Sequence, residues 1–178
     1  CLVRQLNQPQ TQHDWPPSYP DSPAIWLFTS GSTGRPKAAM HCHQDFKFNT
    51  EVYAKQTIQY QPDDTCVSVP RLFFGYATGT NLMFPFAVGA TVGLFVEKPT
   101  PERIAWAVDY YDATMLTNVP TLMSRLLDLP SEQTQGLHRL RFCLSAGEAL
   151  PPALLKRWQA RFDTPVYDGI GSAEMFHI

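Results

Sequence analysis

The chain has 178 residues, of which 44% are hydrophobic and 17% charged, a balance that excludes a disordered tail or a coiled coil. Sixteen acidic against fourteen basic residues leave a formal net charge of -2, so no basic excess exists to hold a nucleic-acid backbone. A chain of this length buries roughly 70% of its unfolded surface, enough for a hydrophobic core without staples.

Residues 1–23 carry five prolines, many glutamines and only three charges, Arg4, Asp14 and Asp21. That composition reads as a linker or strap, with Trp15 and Tyr19 as its anchors, and separates 1–23 from a patterned region, 24–178. Ala24–Thr29 reads as a buried strand, followed by a Gly/Ser/Thr loop, a helix from about His43 to Ile58, and a strand at Cys66–Val69. Leu72–Val96 holds no charge and has the length of a bilayer span, with glycines at GxxxG spacing. Thr78, Thr80, Asn81, Pro85 and Thr91 interrupt it. The better parse is a buried helix, a turn at Gly89-Ala90 and a strand over Thr91–Val96. No membrane span is expected.

Thr100-Pro101-Glu102 opens the next helix with a hydroxyl cap, a proline in the first turn and an early acid. Ile104, Val108 and Tyr111 fall on one of its faces. Thr114–Thr117 is a strand, and Pro120 starts a helix whose Leu122, Leu126 and Leu129 share a face. Arg141–Ser145 is a strand, Leu155, Trp158 and Phe162 mark the last helix, and Pro165–Tyr167 is the last strand. This alternation predicts an α/β fold, a mainly parallel sheet with helices on both faces, whose ligands sit at the carboxyl ends of the strands.

Cys1, Cys42, Cys66 and Cys143 form no C-x-x-C pair, which favours free thiols and a reducing cytoplasm. His41-Cys42-His43 brings two imidazoles and a thiol together, yet no further ligand stands at metal spacing, so a flank of the preceding loop is the simpler reading. Arg139, Arg141, Lys156, Arg157 and Arg161 read as a solvated face. Cys1 and Ile178 both lie in sequence without a visible signal peptide or natural stop, and the expectation is a piece of something longer.

The sharpest feature is Thr29-Ser-Gly-Ser-Thr-Gly-Arg-Pro-Lys37. Its glycines let backbone N–H groups turn towards one anion, its hydroxyls add donors, and its lysine supplies positive charge. Such a loop suits a polyphosphate, although most Ser/Gly/Thr loops are plain surface turns. The spacing, and the lack of a hydroxyl residue after the lysine, exclude a Walker P-loop.

This run resembles the phosphate loop of the acyl-adenylate-forming (AMP-binding) superfamily. Asp168-Gly-Ile-Gly-Ser-Ala-Glu174 is similar to its adenine- and metal-binding segment, and Ser145-Ala-Gly-Glu-Ala-Leu-Pro151 to the stretch lying against the adenine. The aromatic run Arg71–Gly79 and the ending Glu174-Met-Phe-His-Ile178 resemble the benzoate–CoA and related aryl-CoA ligases. The resemblance implies that Thr29, Ser30, Gly31, Ser32, Thr33, Gly34 and Lys37 hold the ATP phosphates. Gly147, Glu148, Ala149, Asp168 and Gly169 would surround the adenine, and Glu174 would place Mg²⁺. Lys37 and Glu174 would be the catalytic groups. Gly75, Tyr76, Ala146, Gly171, His177 and Ile178 would border the acyl pocket.

The implied reaction joins a carboxylate, expected to be aromatic, to AMP and then to CoA, with a carrier protein as an alternative acceptor. A non-catalytic nucleotide-binding fragment is the rival from another class. Three positions depart from the family pattern: Ala173 stands where a Thr usually contacts the α-phosphate, Ala38 replaces a Gly, and Ile170 replaces a Tyr. The superfamily's front portion and its C-terminal domain, with a further lysine, have no counterpart here, so this chain by itself is expected to be inactive.

Overall fold

A computed structural model describes residues 16–29 and 34–178. Two sheets are present among them. A hairpin pairs β1 (Pro23–Thr29) antiparallel with β2 (Lys37–Cys42). The main sheet comprises β3 (Thr65–Ser68), β4 (Thr91–Val92), β5 (Met115–Asn118), β6 (Phe142–Ser145) and β7 (Val166–Asp168). Its order is β4-β3-β5-β6-β7, and every pairing is parallel.

The strands read as apolar runs because both faces are covered. Val67, Leu116 and Cys143 point to one face, where they pack with Ile104, Val108, Leu122, Leu126, Trp158 and Phe162. Those partners come from α4 (Pro101–Tyr110), α5 (Pro120–Leu126) and α6 (Pro152–Phe162). Each of these helices has its proline in the first turn, where the missing N–H has no intrahelical partner to lose, and Thr100 caps α4 by accepting from the Arg103 amide at 3.2 Å. Cys66, Met115, Phe142 and Leu144 point to the other face, against Ala54, Ile58 and Phe84. Here α1 (His43–Asn49) runs on as wider π-type turns over Thr50–Ile58, and α2 (Gly75–Thr78) continues through similar turns, Gly79–Met83, into α3 (Phe84–Val88).

The uncharged stretch thus becomes short helical pieces ended by Gly89 at φ +83° and a two-residue strand. No described helix is long and apolar enough to cross a membrane. Cys66 and Cys143 are buried free thiols, and burial pushes the Cys66 thiol up to about 12.

Three expectations need correction. Ala24–Thr29 is a strand but not a sheet-core one: Trp26 and Phe28 are exposed and Leu27 alone is buried, because a two-stranded hairpin covers one face only. The segment after the loop forms β2, which sequence reading missed. Arg141 and Arg161 are not merely solvated. Arg161 donates to the carbonyls of Leu127 and Leu129, closing the end of α5. Of the strap, 1–15 lies outside the described residues. Tyr19 is exposed, and what attaches 16–22 is backbone: the amides of His43 and Gln44 donate to Ser22 and Pro20 at 3.2 and 2.9 Å, occupying two orphan donors of α1.

At the amino ends of the strands, Asp64 is 3% exposed. Its carboxylate accepts from Arg141 at 2.6 and 3.2 Å, from the Thr114 hydroxyl at 2.7 Å and from the Gln61 amide at 2.7 Å. Removing one partner of such a cluster strands the others. Asp64→Ala in the intact protein should lower stability by about 3 kcal/mol, seen as a lower urea midpoint, with unchanged turnover per folded molecule.

Candidate active site

The carboxyl ends of β6 and β7 lie side by side, with Ser145 paired to Asp168. The Ser145 hydroxyl donates to Asp168 Oδ1 at 2.8 Å. This fixes the carboxylate and leaves its other oxygen available. Gly147 follows at φ +86°, a conformation that favours glycine and turns the chain back over the strand ends. Glu148 is held across to α5, accepting from the Thr121 hydroxyl at 2.6 Å and its amide at 3.1 Å.

Two cavities open here. One, about 530 Å³, is lined by Gly147, Glu148, Ala149, Asp168, Gly169, Ile170 and Gly171. All five residues that sequence reading assigned to an adenine are among them. The other, about 270 Å³, brings together Gly75, Tyr76, Ala146, Gly171, His177 and Ile178, the whole expected acyl set. Leu27, Phe28, Phe73, Phe74 and Phe176 complete its apolar wall. Leu27, Phe28 and Phe176 were not foreseen: strand alternation marked the first two only as core, and nothing local marks Phe176. The cavities meet at Gly147 and Gly171, which line both.

Thr29 and Lys37 form the last cross-strand pair of β1 and β2. Gly34 has φ +78°. Ser30, Gly31, Ser32 and Thr33 lie outside the described residues. Lys37 and Glu174 are exposed and, among the described residues, enter no ion pair.

No described group of three or more His, Cys, Asp or Glu residues suits a metal. His41 is instead buried, its Nε2 donating to the Ala173 carbonyl at 2.6 Å, while His43 is exposed. A single carboxylate such as Glu174 nevertheless fits Mg²⁺, which is commonly held by one or two carboxylates plus substrate phosphates.

His177 is 3% exposed, its ring packed against Tyr53, Tyr76 and Phe84. Nε2 donates to the Tyr76 carbonyl at 3.0 Å, so Nδ1 is the acceptor nitrogen, and it has no partner among the described residues. Burial lowers its pKa to about 4, the carbonyl contact opposing this only in part. The imidazole is therefore neutral at pH 7, and burial likewise keeps the Tyr76 phenol protonated.

The unfolded chain takes up this proton below pH 6.5, whereas the folded one resists until about 4. The stability contributed by neutral His177 is present above pH 6.5 and drains away towards pH 4. The stability gap between wild type and His177→Gln, read from urea unfolding, should narrow over that interval by roughly 3 kcal/mol at most.

The family model described as AMP-binding enzyme matches residues 3–178. Benzoate–CoA ligase of Thauera aromatica is 43% identical over 177 residues, covering 99% of this chain and 34% of its own length. The chain thus spans about a third of that relative. A benzoate CoA ligase from Burkholderia xenovorans LB400 superposes with a TM-score of 0.81 at 36% identity, over 90% of this chain and 32% of the other. The anthranilate CoA ligase AuaEII, solved with anthranoyl-AMP, gives 0.82 at 32% identity, over 90% and 31%. With the strand order and the paired cavities, these likenesses show that the chain belongs to the AMP-binding enzyme family of adenylate-forming ligases.

Proposed function

We propose that this chain is part of an ATP-dependent ligase that activates an aromatic carboxylic acid as its acyl-adenylate and passes the acyl group to CoA. The observation that carries this reading is the junction of two unlike cavities at Gly147 and Gly171. One is apolar and aromatic-walled. The other is lined by backbone and by the carboxylates of Glu148 and Asp168. An apolar cavity near 150 Å³ can hold benzene, so about 270 Å³ suits a single substituted ring with its carboxylate directed to the shared glycines.

In this reading the loop Thr29–Gly34 and Lys37 hold the phosphates, and Gly147, Glu148, Ala149 and Gly169 enclose the adenine. Asp168, oriented by Ser145, accepts from the adenine amino group. Mg²⁺, when bound beside Glu174, offsets charge on the phosphates. The acid's carboxylate oxygen attacks the α-phosphorus of ATP, forming the acyl-phosphate bond as pyrophosphate leaves. Both reactants are anions, so oriented N–H groups and the lysine ammonium supply most of the stabilisation. A thiolate then displaces AMP. CoA is the proposed thiol on the likeness to CoA ligases, and a carrier-protein thiol is the outcome that would revise it. Use of ATP and CoA fits a cytoplasmic enzyme.

The intact protein should show ATP–pyrophosphate exchange that depends on benzoate or small substituted benzoates and is weak with long aliphatic acids. No exchange with any acid overturns the proposal. A Cβ at Gly171 would run into the His177 carbonyl and the Ile178 side chain. Gly171→Ala should therefore raise the KM for the aromatic acid about tenfold, the effect of an overpacked cavity wall. Ala173→Thr should raise kcat if a hydroxyl there reaches the α-phosphate, and steady-state exchange kinetics will read this.

A further inference from the structure

We propose that His41 is a positioning residue. By donating from Nε2 to the Ala173 carbonyl, it sets the 172–176 turn, and Glu174 within it, against the strand that starts at Lys37. The proposal rests on the ligase reading for its consequence in catalysis, but not for its geometry.

The contact spans 132 positions of sequence and measures 2.6 Å. A carbonyl oxygen only accepts, so Nε2 must carry the proton. The opposite ring nitrogen faces the Asp45 carboxylate at 3.5 Å, and that same carboxylate is held by the Cys42 amide at 2.8 Å. The ring edge meets Phe176 at 5.1 Å between centroids, and Phe176 meets Phe46 at 4.7 Å. The Ala173 carbonyl and the Phe176 ring thereby hold His41, which is 6% exposed.

Beyond this contact, the turn is held by the buried Phe176 ring and by His177 beside it. Its own backbone bonds, Met175 to Ser172 and Phe176 to Ala173, are 3.2 and 3.3 Å, longer than the histidine contact. Phe176 sits at φ +70°, a region that is uphill for an aromatic residue and so needs outside support. Ala173 and Ser172 also line the apolar cavity. A donor on β2 thus links the strand carrying Lys37 to the turn carrying Glu174, the two exposed charges proposed to meet the nucleotide. This link matters more because Ala173 has no hydroxyl with which to orient itself.

Two variants of the intact protein separate donation from packing. His41→Phe keeps a ring against Phe176 and removes the N–H, whereas His41→Gln keeps an N–H of similar reach. Losing one neutral hydrogen bond is worth about tenfold. Hydrogen–deuterium exchange of amides 172–178 in His41→Phe should therefore speed up about tenfold, and kcat for acid-dependent pyrophosphate exchange should fall by about the same factor. His41→Gln should recover most of both. Unchanged amide exchange in His41→Phe, equal impairment of the Gln variant, or faster amide exchange with unchanged kcat would each overturn the proposal. If wild type exchanges pyrophosphate with no acid, the ligase reading fails, and the amide-exchange arm still decides whether His41 positions the turn.

Discussion

Two imidazole-to-carbonyl hydrogen bonds pin the C-terminal segment of this chain to its front half. His41 reaches forward to Ala173 at 2.6 Å, and His177 reaches back to Tyr76 at 3.0 Å. Both rings are buried, and in both the Nε2 proton is dictated by a partner that can only accept. Buried polar contacts of this kind are unforgiving, because an unmade one leaves a desolvated carbonyl without a partner. The segment that leads up to and through them, with glycines at 169 and 171 and a positive φ at Phe176, has few regular backbone bonds of its own. Its shape is imposed from outside.

The rest of the site follows from that constraint. With the segment pinned, Gly171 faces Ala146 and Gly147, and the strand-end groove divides into an aromatic-walled cavity and a polar one. Gly171 is a steric requirement, since a side chain there would collide with the His177 carbonyl, whereas Gly147 is required by its φ of +86°. The scaffold beneath is a parallel sheet whose amino ends are locked by Asp64 and Arg141. Loops at the opposite, carboxyl ends remain free to carry polar chemistry.

Much of this was legible in the residues. Short continuous apolar runs, and proline-started amphipathic helices between them, pointed to the strand–helix alternation and hence the parallel sheet. The two later segments, Ser145–Pro151 and Asp168–Glu174, marked positions that meet at the carboxyl ends of β6 and β7. What was not legible has a common cause. β2, with Lys-Ala-Ala-Met-His-Cys, has weak strand propensity and exists because β1 pairs with it. The exposed ring of Phe28 and the buried one of Phe176 have no local signature, since burial there is decided by distant partners. Arg141 looked solvated in a window of neighbours, and its carboxylate lies 77 residues away.

The sequence by itself determined the fold class, the proline-opened helix starts and a run of glycine and hydroxyl residues able to meet an anion. Those properties depend on local periodicity, capping and backbone freedom, which act within a few residues. Only the tertiary structure decided that the residues around Ser145, Asp168 and His177 form two cavities joined at Gly147 and Gly171, and that His41 donates to the Ala173 carbonyl. Those facts depend on contacts between residues from 23 to 132 positions apart, which only the folded chain brings within hydrogen-bonding distance.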